Sequence, residues 1–169
     1  DPVNLPWKKH IIDTAPQPTH GHPVDMDGDG DVDVVMALGM SPPHDPCDLR
    51  YQQIVWYENT GAPGQGPWAK HIICDCFPNA FEAIAADLDN DGQFEVVASA
   101  WDQTGRIAIF KHRGDPRGPW DMQLLKDGWI NANQVIAADL NGDGRLDLVA
   151  SAERGSNEVR WWRNDGNGA

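Results

Sequence analysis

The stretch Asp25-Met26-Asp27-Gly28-Asp29-Gly30-Asp31-Val32-Asp33 decides how this chain is read, because it returns twice. The second copy is Asp87-Leu88-Asp89-Asn90-Asp91-Gly92-Gln93-Phe94-Glu95, and the third is Asp139-Leu140-Asn141-Gly142-Asp143-Gly144-Arg145-Leu146-Asp147. Each has the form D-x-D/N-x-D-G-x-x-D/E. Oxygen-bearing side chains fall at positions one, three, five and nine, and the glycine at position six permits the sharp turn that gathers them. Such a set suits a hard cation that takes about 6–8 oxygens in flexible geometry, as calcium does. The expected side-chain ligands are Asp25, Asp27, Asp29 and Asp33, then Asp87, Asp89, Asp91 and Glu95, then Asp139, Asn141, Asp143 and Asp147. Asp31, Gln93 and Arg145 at position seven would lend a backbone carbonyl, so their unlike side chains are no objection. Asp and Gly also crowd ordinary turns, but three copies with matching flanks favour a metal site in each, about three Ca2+ per chain.

The charge agrees with this reading. The 169 residues carry a formal charge of -13, and 12 of the 26 acidic residues lie in the three loops, where divalent ions would halve the imbalance. Nothing resembles the basic stripe of a nucleic-acid binder. No run approaches the ~18 apolar residues of a membrane span, and no signal peptide is visible. Cys47, Cys74 and Cys76 match no zinc-finger spacing. One disulfide from Cys47 to Cys74 or Cys76 is the plain reading; free thiols and a Cys–His metal site stand beside it.

Aligning the loops aligns their flanks. Upstream lie Pro6-Trp7-Lys8-Lys9-His10-Ile11-Ile12, Pro67-Trp68-Ala69-Lys70-His71-Ile72-Ile73 and Pro119-Trp120-Asp121-Met122-Gln123-Leu124-Leu125. Downstream lie aromatic runs around Trp56, Phe110 and Trp161. The repeat is 52 residues from Asp87 to Asp139 and 62 from Asp25 to Asp87, the excess being an insertion over Gly39 to Gln52. Each unit has four short β-type runs between Gly, Pro, Asn and Asp clusters, and no segment keeps a 3.6-residue apolar period. The expectation is an all-β chain of three β-propeller blades, each of four antiparallel strands packed radially around a channel. Small residues such as Ala83, Ala85 and Ala137 place the run before each loop innermost. The blades are expected at about 19–74, 81–125 and 133–163 of a single domain over 1–169, with a strand at 7–12 completing a last blade. Trp56, Trp161 and Trp162 are expected to pack between blades, and Trp7, Trp68 and Trp120 to share one structural position.

The loop with its flanks, as in Ile84-Ala85-Ala86-Asp87-Leu88-Asp89-Asn90-Asp91-Gly92-Gln93-Phe94-Glu95-Val96-Val97-Ala98, resembles the FG-GAP/VCBS repeat family, which includes the integrin α propeller and many secreted proteins. The resemblance covers essentially the whole chain. It implies that the acidic loop joins the two inner strands on one face and binds calcium, and that the protein is secreted or extracellular. The third loop, with Asn141 replacing an aspartate, is the least acidic and the weakest expected site.

Three blades are fewer than the roughly 4–8 that close a ring. The chain opens on a fourth-strand run and closes on a third-strand run, so two exits are expected. Either two copies associate head to tail into six blades, each N-terminal strand completing the partner's third blade, or further sequence completes the ring. A ligand face is expected opposite the loops, formed by His20, His22, Glu82, Trp101, Trp129 and Gln134, with His44, Asp45, Cys47, Asp48 and Arg50 added by the insertion. The resemblance implies a calcium-stabilised binding module for carbohydrate or protein, or a propeller-type sugar lyase or dehydratase, and the incomplete ring adds a scaffold within a larger ring. The binding module ranks first and the enzyme last, because there is no nucleophile motif and no H-E-x-x-H.

Overall fold

The computed structural model describes residues 6–40, 52–61 and 68–166; among them are eleven strands and no helix. Most of the insertion, including His44, Asp45, Cys47, Asp48 and Arg50, lies outside the described residues. Blade 1 is β1 (Pro18–Val24), β2 (Asp33–Leu38), β3 (Gln53–Glu58) and β4 (Ala69–Cys74), hydrogen-bonded in that order. Blade 2 repeats the order with β5 (Ala80–Ala86), β6 (Glu95–Ala100), β7 (Arg106–His112) and β8 (Trp120–Asp127). Blade 3 has β9 (Ala132–Ala138), β10 (Asp147–Ala152) and β11 (Glu158–Trp162), and no fourth strand among the described residues. Every pairing is antiparallel, which lets consecutive strands follow one another across each sheet.

The sheets stand side by side with their first strands adjacent, β1 against β5 and β5 against β9, so the alanine-rich β5 and β9 line the inner side together with β1. Side chains alternate across each sheet. Val35, Ala37, Ile54 and Trp56 of blade 1 therefore meet Ala83, Ala85, Val96, Ala98 and Phe110 of blade 2 in one buried core. Ile84, Val97 and Ile107 of blade 2 meet Val135, Leu148 and Ala150 of blade 3 in the next. Each blade thus gives one set of side chains to its predecessor, as Ala83, Ala98 and Phe110 do, and another to its successor, as Ile84, Val97 and Ile107 do. At the periphery, the carbonyl of Pro116 accepts the indole N–H of Trp56 (3.1 Å) and of Trp120 (3.0 Å), fastening blade 2 to blade 1.

The linkers between blades also repeat. Gln17, Asn79 and Asn131, each just before the first strand of its blade, have left-handed φ values of 49°, 56° and 56°. Their carbonyls accept the amides of Gly39, Trp101 and Glu153 at 3.1, 2.9 and 3.2 Å. Two residues earlier come Ala15, Phe77 and Trp129. Phe77 and Trp129 are buried plugs in the two inter-blade cores, and Ala15 packs on the outer side of blade 1 beside Leu38, Val55 and Tyr57.

The N-terminal run is expected to be a strand where it completes a last blade. Residues 6–12 form no strand, and Trp7 is 86% exposed. The segment has strand-like composition but pairs with no strand among the described residues. Trp161 departs from expectation: it lies on the outer side of blade 3 and is half exposed, whereas Trp56 and Trp162 pack between blades. Cys76 is disulfide-bonded and Cys74 keeps a free thiol.

Candidate metal centres and the opposite face

Each acidic loop joins the first two strands of its blade, and all three use one internal scaffold. The first aspartate accepts the amide of the position-six glycine: Gly30 to Asp25 at 3.0 Å, Gly92 to Asp87 at 3.0 Å, Gly144 to Asp139 at 2.9 Å. These glycines have φ of 93°, 83° and 85°, where a Cβ is strained, which is why the position is invariant across the copies. Position five accepts the position-seven amide, as from Asp31 to Asp29, Gln93 to Asp91 and Arg145 to Asp143. The side-chain oxygens are thereby aimed before any ion arrives.

In the first loop, carboxylate oxygens of Asp25, Asp27 and Asp29 lie within 4.8 Å of one another; in the second, those of Asp87, Asp89 and Glu95 do. Asp25 Oδ1 is buried and has no hydrogen-bond partner among the described residues. A buried carboxylate oxygen without a donor is costly, and a cation at the mouth of the loop would satisfy it. Both clusters already draw positive side chains. Lys111 of β7 reaches Asp89, Asp91 and Glu95 of the second loop, the latter two at 3.2 Å. Arg117, between β7 and β8, bonds Asp27 of the first loop and Glu58 at 2.7 Å. Arg117 holds the Glu58 carboxyl below the usual range. In the third loop, where Asn141 replaces a carboxylate, Arg145 takes Asp143 at 2.6 Å and the Asn141 amide donates to the same oxygen at 3.0 Å.

Position nine divides by side-chain length. Asp33 accepts the amides of Met26 (2.9 Å) and Asn59 (2.7 Å), and Asp147 those of Leu140 (3.3 Å) and Asn164 (2.8 Å). Both are fully buried and spend both oxygens on backbone amides, fastening the loop to the end of the third strand. Glu95 is one methylene longer: Oε2 takes the Leu88 amide at 2.9 Å, leaving Oε1 turned into the cluster. Burial raises the Asp33 and Glu95 pKa values, and the bonded amides offset part of that rise. Asn59 and Asn164 complete the fastening by donating to the carbonyls of Val32 (3.3 Å) and Leu146 (3.1 Å). Sequence reasoning passed over these asparagines, although their recurrence after the aromatic run was the available signal.

On the opposite face the strand connections converge. Trp101 donates its indole N–H to Glu153 at 3.2 Å, and Asn79 donates to Asp102 at 3.0 Å. His20 is exposed, tilted against Phe81 at 4.6 Å, with Nδ1 3.2 Å from the Phe81 carbonyl. Glu82 is half-buried and accepts the Val135 amide at 2.6 Å, linking blade 2 to blade 3; burial raises its pKa. His22 and Gln134 are exposed on β1 and β9. Trp129 requires a correction. It is 1% exposed, edge-on to Trp162 at 5.5 Å, under the Arg160 guanidinium, with its N–H on Glu158 at 2.9 Å. Its ring fills the seam between blades and has no face left for a ligand.

Among the described residues, no helix is long and apolar enough to cross a membrane. The FG-GAP-like repeat family matches residues 25–98, and the FG-GAP repeat family matches residues 131–169. None of the curated proteins matches this chain.

Proposed function

The chain belongs to the FG-GAP repeat family, and from that premise we propose that it is a secreted, calcium-stabilised β-propeller module that binds a carbohydrate on the face opposite its acidic loops. The observation that carries the calcium reading is the donor-less, buried Asp25 Oδ1 beside Asp27 and Asp29. The ion would be held by Asp25, Asp27, Asp29 and the Asp31 carbonyl in the first loop. In the second it would be held by Asp87, Asp89, Asp91, Glu95 and the Gln93 carbonyl. It supplies positive charge that lets these carboxylates approach one another, a task that Lys111 and Arg117 perform in part. The third loop is the last to fill, because Arg145 holds Asp143.

For the ligand face, Trp101 supports a sugar: a half-buried indole among Asp102, Glu153 and Asn79 offers one stacking surface and several hydroxyl partners. Thermal unfolding in excess calcium against excess chelator tests the first part. A ligand at a hundredfold its Kd adds ~2.7 kcal/mol per site, so two filled loops raise the melting temperature by roughly 10 °C or more. Equal melting temperatures would refute it. Glycan-array binding lost on Trp101→Ala tests the second part, and binding indifferent to that change would exclude the assignment of Trp101.

A further inference from the structure

We infer that the open edge of β11, with the groove beside it, is the docking site for residues Trp7–Ile12 of a second copy of this chain, which add there as the fourth strand of blade 3. The inference rests on the blade architecture and is independent of cation binding.

The run Pro6-Trp7-Lys8-Lys9-His10-Ile11-Ile12 repeats Pro67-Trp68-Ala69-Lys70-His71-Ile72-Ile73, whose last residues form β4 on the outer edge of β3. Among the described residues, 6–12 carry this sequence with no strand partner, and β11 is a third strand with no fourth beside it. The linker that follows shows where such a strand must lie. Gln17 has the backbone conformation and the carbonyl bond of Asn79 and Asn131, which carry the chain from the fourth strand of one blade to the first strand of the next. The chain therefore enters blade 1 as though leaving the fourth strand of a preceding blade.

That blade cannot be the chain's own blade 3. Asp13 accepts the Tyr57 hydroxyl proton at 2.9 Å, on the side of blade 1 turned away from blade 2. Blade 3 lies beyond blade 2, with sheets spaced about 10 Å apart, while Ile12 is one residue, about 3.8 Å, from Asp13. In a head-to-tail pair, the same side of blade 1 abuts the partner's blade 3 and brings Ile12 to its edge.

The outer side of blade 3 is built to be covered. Val159 and Trp161 are 76% and 52% exposed, whereas Ile54 and Trp56, at the same repeat positions, are fully buried against blade 2. Between blades 2 and 3, a groove of about 740 Å³ is lined by Leu88, Ile109, Met122, Leu146, Trp162 and Asn164. Trp68 and Trp120 each pack on the predecessor-facing side of their blade. For a strand docked on β11 that side is this groove, and Trp7 enters it. The β3–β4 register, with Trp56 opposite His71 and Tyr57 opposite Lys70, sets Trp161 opposite His10 and Trp162 opposite Lys9. Trp56 stacks on His71 at 4.5 Å, and Trp161 receives His10 likewise. Arg163 stands where Glu58 bonds His71, so that polar contact is not repeated and the apolar contacts carry the docking.

The test is the molar mass of the full chain by light scattering, with hydrogen exchange read at residues 7–12 and 158–162. Expected are the mass of two chains and joint protection of both segments, both lost on dilution. The double variant Trp7→Ala/Ile11→Asp changes only side chains exposed in the single chain. It should give the mass of one chain with an unchanged β-sheet circular dichroism spectrum. A single-chain mass with 7–12 unprotected overturns the inference. So does protection of 7–12 at single-chain mass, which would mean pairing within the chain, and so does a double mass that the variant leaves intact.

Discussion

Trp129→Ala separates a seam plug from a ligand platform. The ring is 1% exposed and touches Trp162 and Arg160, so its removal forfeits both transfer energy and packing on two blades. Large-to-small changes of this kind cost ~3–5 kcal/mol. The lost bond to Glu158 adds little, because that carboxylate keeps Arg160 at 2.6 Å. For a chain of this size each kcal/mol lowers the melting temperature by about 2–4 °C, so a fall of roughly 6–20 °C is expected. Trp129→Phe restores the ring that Phe77 supplies at the neighbouring seam and should recover more than half of the loss. The assay is thermal unfolding followed by circular dichroism at constant calcium. A Trp129→Ala protein melting within ~2 °C of the parent, the range of a surface change, would refute the reasoning.

Asp33→Asn leaves one of two buried amides, Met26 or Asn59, facing an NH2 group, and should cost ~1–3 kcal/mol. A lower urea midpoint at unchanged m-value is the readout, and unaltered stability with weakened calcium binding would instead make Asp33 a ligand. Glu82→Gln tests a pH dependence. Burial raises the folded pKa of Glu82, so its contribution is fully present below the unfolded value and is lost as pH rises through the folded one. Gln keeps an acceptor for the Val135 amide, so the variant should gain on the parent as pH rises above the unfolded carboxyl's value of about 4.3; a stability difference that does not change with pH would contradict this.

The blades were legible because a period near 52 residues carries both the acidic loop and its flanks, and a pattern repeated three times constrains more than any single strand. What stayed hidden was the work of individual acids. Asp33 and Glu95 share a motif position, yet one methylene decides whether both oxygens reach backbone amides or one is left for the cluster. Trp129 was illegible for a different reason: its equivalents are Phe77 and Ala15, so aligning tryptophans hides the position. The recurrence of Phe77-Pro78-Asn79 as Trp129-Ile130-Asn131, a ring two residues ahead of a left-handed Asn, would have exposed it. The run Trp7–Ile12 reads as a strand because strand composition is local, whereas a strand exists only with an edge to join.

Since Ala98 and Phe110 face backward along the row and Val97 and Ile107 of the same blade face forward, a blade has a front and a back that present different residues. Growth by these surfaces has a direction, and a row extended in one direction must either curve shut or run on as a filament.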